Sequence, residues 1–363
     1  MQIAKRKLQI DLNRRSWLQT TGAAAASCAL AGCGGGASGG QPVLMVFNWS
    51  DYIDGELIAE FEDQASCRVL YDNYSSDAEL EARLATGGGA YDVVFPSDRA
   101  MQALLAKNLL QPLDHGRLTN LEHIDPQWLD PPCDRGNRHS VAYFWGTVAV
   151  GLRPDRIATF AAGFDVLFDP ANRGRITMLD DAENVVAATL LMLGLPMNSV
   201  APSDLRKAQD ALLEQKPLVQ AYTSDAYKER LISGDAWASL GWSGDLIQAA
   251  DTAQEEGLDV QVIVPATGTM RWLDSMAIPR AATNPELAHR FIDFLLDPAI
   301  AKRNAEHVHY PTPNRAAFLM LAADDQHDAN VYPPPATLAK CQWLADRKQD
   351  IAKIEAVWRA VKA

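Results

Sequence analysis

Three times this chain sets an indole or phenol beside an aspartate: Trp49, Asp51 and Tyr52 in one cluster, Trp242 and Asp245 in a second, Trp272 and Asp274 in a third. A carboxylate next to an aromatic face suits an organic cation. The carboxylate pairs with the charge, and the ring attracts it through its quadrupole while packing against carbon, a contact worth about 0.5–2 kcal/mol. Each cluster also has a structural explanation. Asp51 could cap a helix starting at Gly55, and Asp245 one starting at Leu246. Asp274 resists this, because it precedes Ser275-Met276-Ala277-Ile278 in an apolar strand pattern, where an unpartnered carboxylate is costly.

Catalytic chemistry is poorly supported. Gly241-Trp242-Ser243-Gly244-Asp245 lacks the second glycine of a Gly-x-Ser-x-Gly nucleophile turn. His307 and His309 stand without a HExxH pattern or a cysteine cluster. No catalytic residue, metal ligand or cofactor is expected. Cys67, Cys133 and Cys341 show no CxxC spacing, so neither a zinc site nor a disulfide framework is indicated, and at most one bridge could form.

The elements that must position these residues read as α/β. Strands are expected at 43–47, 67–71, 91–96, 175–179 and 236–241, with a long extended segment at 142–152. Helices are expected at 55–65, 76–86, 185–193, 203–215 and 285–296, with a helical segment over 335–361. Strand–helix alternation at this spacing predicts βαβ units and a largely parallel sheet. Each aspartate–aromatic cluster borders a predicted strand end, where α/β clefts hold ligands. The glycines at 87–89 are not a phosphate loop, since no Gly-Lys-Ser/Thr follows them.

The 363 residues, 48% apolar and 22% charged, can form two lobes and exclude a disordered or coiled-coil chain. The net charge of −13 argues against a nucleic-acid partner and suits a cationic one. The N-terminus reads as a signal peptide over 1–32, basic at Lys5, Arg6, Lys7, Arg14 and Arg15, then apolar but too short to span a membrane. It ends at Leu30-Ala31-Gly32-Cys33, which resembles a lipoprotein lipobox, implying lipidation of Cys33 and a flexible tether over 33–42. Asn13-Arg14-Arg15-Ser16-Trp17-Leu18 is similar to a twin-arginine signal, so export by that route or the general secretory one is open. Without the leader the charge would be −17, because it carries five basic residues and one acid.

Several segments together resemble the polyamine-binding (spermidine/putrescine) proteins of ABC importers. Phe47-Asn48-Trp49-Ser50-Asp51-Tyr52-Ile53 is similar to that family's first βα turn. Tyr91-Asp92-Val93-Val94-Phe95-Pro96-Ser97, Leu179-Asp180-Asp181-Ala182-Glu183, Gly241-Trp242-Ser243-Gly244-Asp245, Trp272-Leu273-Asp274-Ser275-Met276-Ala277-Ile278-Pro279 and Tyr310-Pro311-Thr312-Pro313-Asn314 resemble its further signatures, in the same order. The resemblance implies a two-lobed, type II periplasmic-binding-protein-like α/β fold with ligand in the interlobe cleft. Lobe one would be 43–149 plus 271–317 and lobe two 150–270 plus 318–363. It also implies a polyamine ligand, a membrane ABC permease as partner, a lipid anchor, a monomer, and a periplasmic or cell-surface location.

By the same resemblance, Trp49, Ser50, Asp51, Tyr52, Ser97, Trp242, Asp245, Trp272, Asp274 and Tyr310 match ligand-contacting positions, and Asp181 matches one in spermidine-preferring members. A polyamine needs carboxylates at separated points, since each ammonium removed from water must be paired. One position departs from the family: Asn184 stands where a glutamate is common, with Glu183 beside it. Asp98, following Ser97, is an additional candidate for replacement charge, or for pairing with Arg99 or Arg271. The departure leaves the choice between diamine and triamine open. Rival readings are another cationic amine or amino compound, such as agmatine or an amino acid, and a metal receptor.

Overall fold

A computed structural model describes residues 40–363 apart from 88–89, 158, 161–162 and 347–349. The expected signal peptide, Cys33 and most of the tether lie outside the described residues.

The first apolar run forms β1 (Val43–Trp49), followed by α1 (Gly55–Ala65). The cap of α1 is Asp54, whose carboxylate accepts from the Glu56 amide, so Asp51 is left for another role. The alternation continues through β2 (Arg68–Tyr74), α2 (Asp77–Ala85), β3 (Val93–Val94) and α3 (Asp98–Ala106). Ser76 and Ser97 start the last two helices by accepting from the amides of Glu79 and Ala100. Short 3-10 turns then lead into β4 (Ser140–Leu152), all of whose residues are buried.

A second α/β set follows: β5 (Ile176–Met178), α4 (Ala182–Met192), α5 (Pro202–Gln215), β6 (Val219–Tyr222), α6 (Tyr227–Ser233), β7 (Ala238–Trp242), α7 (Ser243–Glu255) and β8 (Gln261–Ile263). The chain returns along β9 (Met270–Ala277) to α8 (Pro285–Leu296), α9 (Pro298–Val308), α10 (Arg315–Met320) and α11 (Ala323–Gln326). It ends with α12 (Pro335–Leu338), β10 (Gln342–Trp343) and α13 (Ile351–Lys362), so the expected helical segment over 335–361 is broken by a strand.

The curled sheet has the order β2-β1-β3-β9-β4-β7-β5-β6, with β10 on β9 and β8 on β4. The flanks are parallel, β1 with β2 and β3, β5 with β6 and β7. The centre is antiparallel, because the chain leaves one half along β4 and comes back beside it along β9. Ser140–Thr147 of β4 pair with β9, and Val148–Leu152 of the same strand pair with β7.

Two lobes form around these halves. Alternation in β1 turns Leu44 and Val46 to a core with Leu57, Phe61 and Phe291, while Phe47 faces Leu80, Met101 and Leu104 on the other side. The second lobe centres on Val150, Val186, Leu190 and Leu240. Trp242 packs against the cores of both. Tyr332, Leu338 and Trp343 pack on the first core, and Leu344 with Ile354, Val357 and Val361 of α13 on the second.

Candidate functional site

The carboxyl ends of the parallel strands converge on the seam between the lobes, where α/β folds expose backbone ends and helix starts to a ligand. The turn after β1 carries Ser50, Asp51 and Tyr52, that after β3 carries Ser97, with Asp98 and Arg99 opening α3, and that after β5 carries Asp181. Trp242 ends β7 and Asp245 lies in the first turn of α7. Trp272 and Asp274 come from β9, two residues apart and therefore on one face. Arg271 takes the other face, its guanidinium 4.5 Å from the Trp343 ring centroid.

At the centre, two carboxylates are held by phenols. Tyr52 donates to Asp274 Oδ2 at 2.8 Å, Tyr310 donates to Asp245 Oδ1 at 2.7 Å, and Tyr227 donates to Asp245 Oδ2 at 2.6 Å. Asp245 is therefore no helix cap. The rings join into a continuous wall with centroid separations of 5.3 Å for Tyr52–Tyr310, 5.2 Å for Tyr310–Trp272 and 6.0 Å for Trp272–Trp242, all near edge-to-face. Two glycines make room for it. A Cβ on Gly244 would lie 2.6 Å from the Tyr310 ring, and one on Gly146 would lie 2.4 Å from Trp272 Cζ2.

Asp274 is only 7% exposed. Burial, reinforced by the charges of Asp77 and Asp98, pushes its carboxyl well above the ordinary aspartate range, against the Tyr52 hydrogen bond and the Arg99 charge. Burial also raises Asp77, and lifts Asp98 to about 6. Asp77 Oδ1 is buried without a hydrogen-bond partner, while Oδ2 accepts from Ser97 Oγ at 2.6 Å. Ser97 itself bridges to Asp274 across the β3–β9 gap. Burial and the neighbouring carboxylates raise the phenols of Tyr52, Tyr227 and Tyr310, which remain hydroxyl donors.

Other sequence-predicted residues are engaged by the protein's own cations. Arg99 binds Asp181 Oδ2 at 2.9 Å and Glu183 Oε1 at 3.0 Å, with Asp77 at 4.0 Å. Burial alone would raise Asp181, but the Arg99 charge and hydrogen bond and the Asn184 contacts hold it below the usual range. Asp181 caps α4 by accepting from the amide of Asn184, a buried residue. Asp51 pairs with Lys228 Nζ at 2.9 Å, and that lysine also donates to Gln248. Trp49 donates its indole N–H to the Phe95 carbonyl and packs on Tyr74, while Ser50 is exposed in the adjoining turn. Asp98 forms no ion pair with Arg99 or Arg271 among the described residues, although the Arg99 charge lowers its carboxyl against the effect of burial.

Sequence reasoning missed Asp77, Tyr227 and Lys228, and gave Arg99 no role beyond a partner for Asp98. Asp77 carried a faint signal, since it starts a helix just after Ser76. Tyr227 and Lys228 lie in α6, outside every motif, and reach the site only through the fold.

The chain matches the bacterial extracellular solute-binding protein family model over residues 56–331. It is 34% identical over 329 residues to the putrescine/cadaverine-binding protein of Pseudomonas aeruginosa, covering 88% of this chain and 93% of that one. The solved spermidine/putrescine ABC transporter substrate-binding protein PotD of Streptococcus pneumoniae superposes with a TM-score of 0.77 at 29% identity, over 88% of this chain and 98% of that one. The TpPotD lipoprotein of Treponema pallidum superposes with the same TM-score of 0.77 at 26% identity, over 88% and 99%. The family and these relatives are solute-binding transport proteins, not enzymes. The chain belongs to the bacterial extracellular solute-binding protein family, within its group of polyamine-binding proteins of ABC transporters.

Proposed function

We propose that this chain captures a short polyamine of the putrescine/spermidine class in the interlobe cleft and delivers it to an ABC permease, as a monomeric lipoprotein anchored through Cys33 in the periplasm or on the cell surface. The observation that carries the reading is the pair Asp274 and Asp245. One lies on a strand of the first lobe and the other on a helix packed on the second, each held by tyrosine hydroxyls beside a common aromatic wall. Ammonium groups pair with the carboxylates while the methylenes lie against Tyr52, Tyr310, Trp272 and Trp242. Trp49, Ser50, Asp51 and Ser97 shape the rim and hold the turns. A ligand that touches both lobes binds the closed form better and so shifts the hinge equilibrium toward it. The names of the relatives, a putrescine/cadaverine binder and a spermidine/putrescine transporter protein among them, support the ligand class.

Calorimetric titration of the leader-free protein with putrescine, cadaverine, spermidine, spermine and agmatine tests this. Saturable binding of one amine per chain is expected. Failure of every amine to bind would overturn the reading.

A further inference from the structure

The cleft contains two cations of its own, and they stand on different sides of the central carboxylates. Lys228 lies on the Asp245 side, on Asp51 and Gln248. Arg99 lies on the Asp274 side, where its fork joins Asp181 and Glu183 of the second lobe at 2.9 and 3.0 Å, with Asp77 of the first at 4.0 Å. By contrast Asp274 and Asp245 accept from Tyr52, Tyr227 and Tyr310 and form no ion pair among the described residues.

We propose that Arg99 is a specificity-determining residue that makes this a diamine site, its guanidinium filling the acidic end of the cleft where a longer polyamine would place its additional ammonium. The inference rests on the amine-binding reading above. Arg99 is held in place by its own element. Ser97, which bridges to Asp274, caps α3 and donates to Asp77, so Arg99 leaves the helix two residues from the strand position facing Asp274. The planar fork satisfies two carboxylates at once, a geometry that a flexible ammonium does not reproduce. A third ammonium arriving at Asp181 and Glu183 must therefore either displace that fork, stranding a half-buried guanidinium, or sit beside a like charge. A diamine spanning Asp274 and Asp245 meets neither obstacle.

The test is calorimetric titration of the wild type, Arg99→Ala and Arg99→Gln with putrescine, cadaverine and spermidine, with circular dichroism melts to establish folding. The wild type should bind a diamine at least tenfold more tightly than spermidine. Arg99→Ala should raise spermidine affinity relative to putrescine at least tenfold, with Arg99→Gln giving a shift in the same direction. A wild type that prefers spermidine overturns the proposal while leaving the polyamine reading intact. An unchanged ratio in either folded variant does the same, and the wild-type ranking decides if neither variant folds. Absence of any amine binding by the wild type overturns both readings together.

Discussion

Replacing Asp274 by asparagine removes a charge while keeping shape and one acceptor, so Tyr52 can still donate to the side chain across the 2.8 Å contact. Stranding an ammonium in a desolvated pair costs about 2–5 kcal/mol. Part of that is offset in the wild type, because burial and the neighbouring Asp77 and Asp98 raise the Asp274 carboxyl well above the ordinary range. A cation that pairs with the ionised carboxylate then competes with a proton, at a cost that falls as pH rises. The net loss lies toward the lower end of that range, about 2 kcal/mol, or about 30-fold in affinity. Putrescine titration by calorimetry in buffers of different ionisation enthalpy reads both quantities. The wild type should release a proton on binding and gain affinity as pH rises, and Asp274→Asn should do neither. Its folding free energy should change by less than about 1 kcal/mol, since the amide keeps an acceptor for the Tyr52 hydroxyl. Unchanged putrescine affinity together with a sharp fall in melting temperature would refute the reasoning and make Asp274 a structural carboxyl.

The same raised carboxyls set how stability varies with pH. A carboxyl raised on folding stabilises the fold below its unfolded value near 4 and loses that contribution as pH climbs through the folded value. Ligand-free protein should therefore gain stability between pH 7 and pH 5, with Asp98, at about 6, contributing about 1 kcal/mol over that window. Denaturant titrations at the two pH values check it, and a flat or opposite trend would contradict the burial argument. Gly244→Ala should push the Tyr310 ring off the start of α7, because the new Cβ lies 2.6 Å from it. A destabilisation of about 1–3 kcal/mol and weakened putrescine binding are expected, and unaltered melting and binding would show that the ring has room to move. Cys33→Ser should leave the precursor uncleaved or release the protein from membranes, and unchanged membrane association with a different mature N-terminus would remove the lipoprotein assignment.

Local pattern determined a good deal of this protein. Apolar runs placed β1 and β4, helical spacing placed α8, and two of the three aspartate–aromatic clusters marked strand ends, because a βα turn writes its strand, its ligand-facing residues and its helix start within about ten neighbouring positions; the third, Trp272 and Asp274, lies inside β9. The acidic charge was legible for a simpler reason, since it is a sum over all residues. Tertiary structure decided the rest. Tyr52 and Asp274 are 222 positions apart, and Arg99 and Asp181 are 82 apart, so no window of sequence could pair them. The antiparallel centre of the sheet likewise follows from β4 and β9 meeting across a long excursion of the chain. Burial then set which carboxyls keep their protons, and the distances between charges set which are already neutralised by Arg99 and Lys228. Both are properties of position in space: a desolvated aspartate and a solvated one are the same letter, and only the fold separates them.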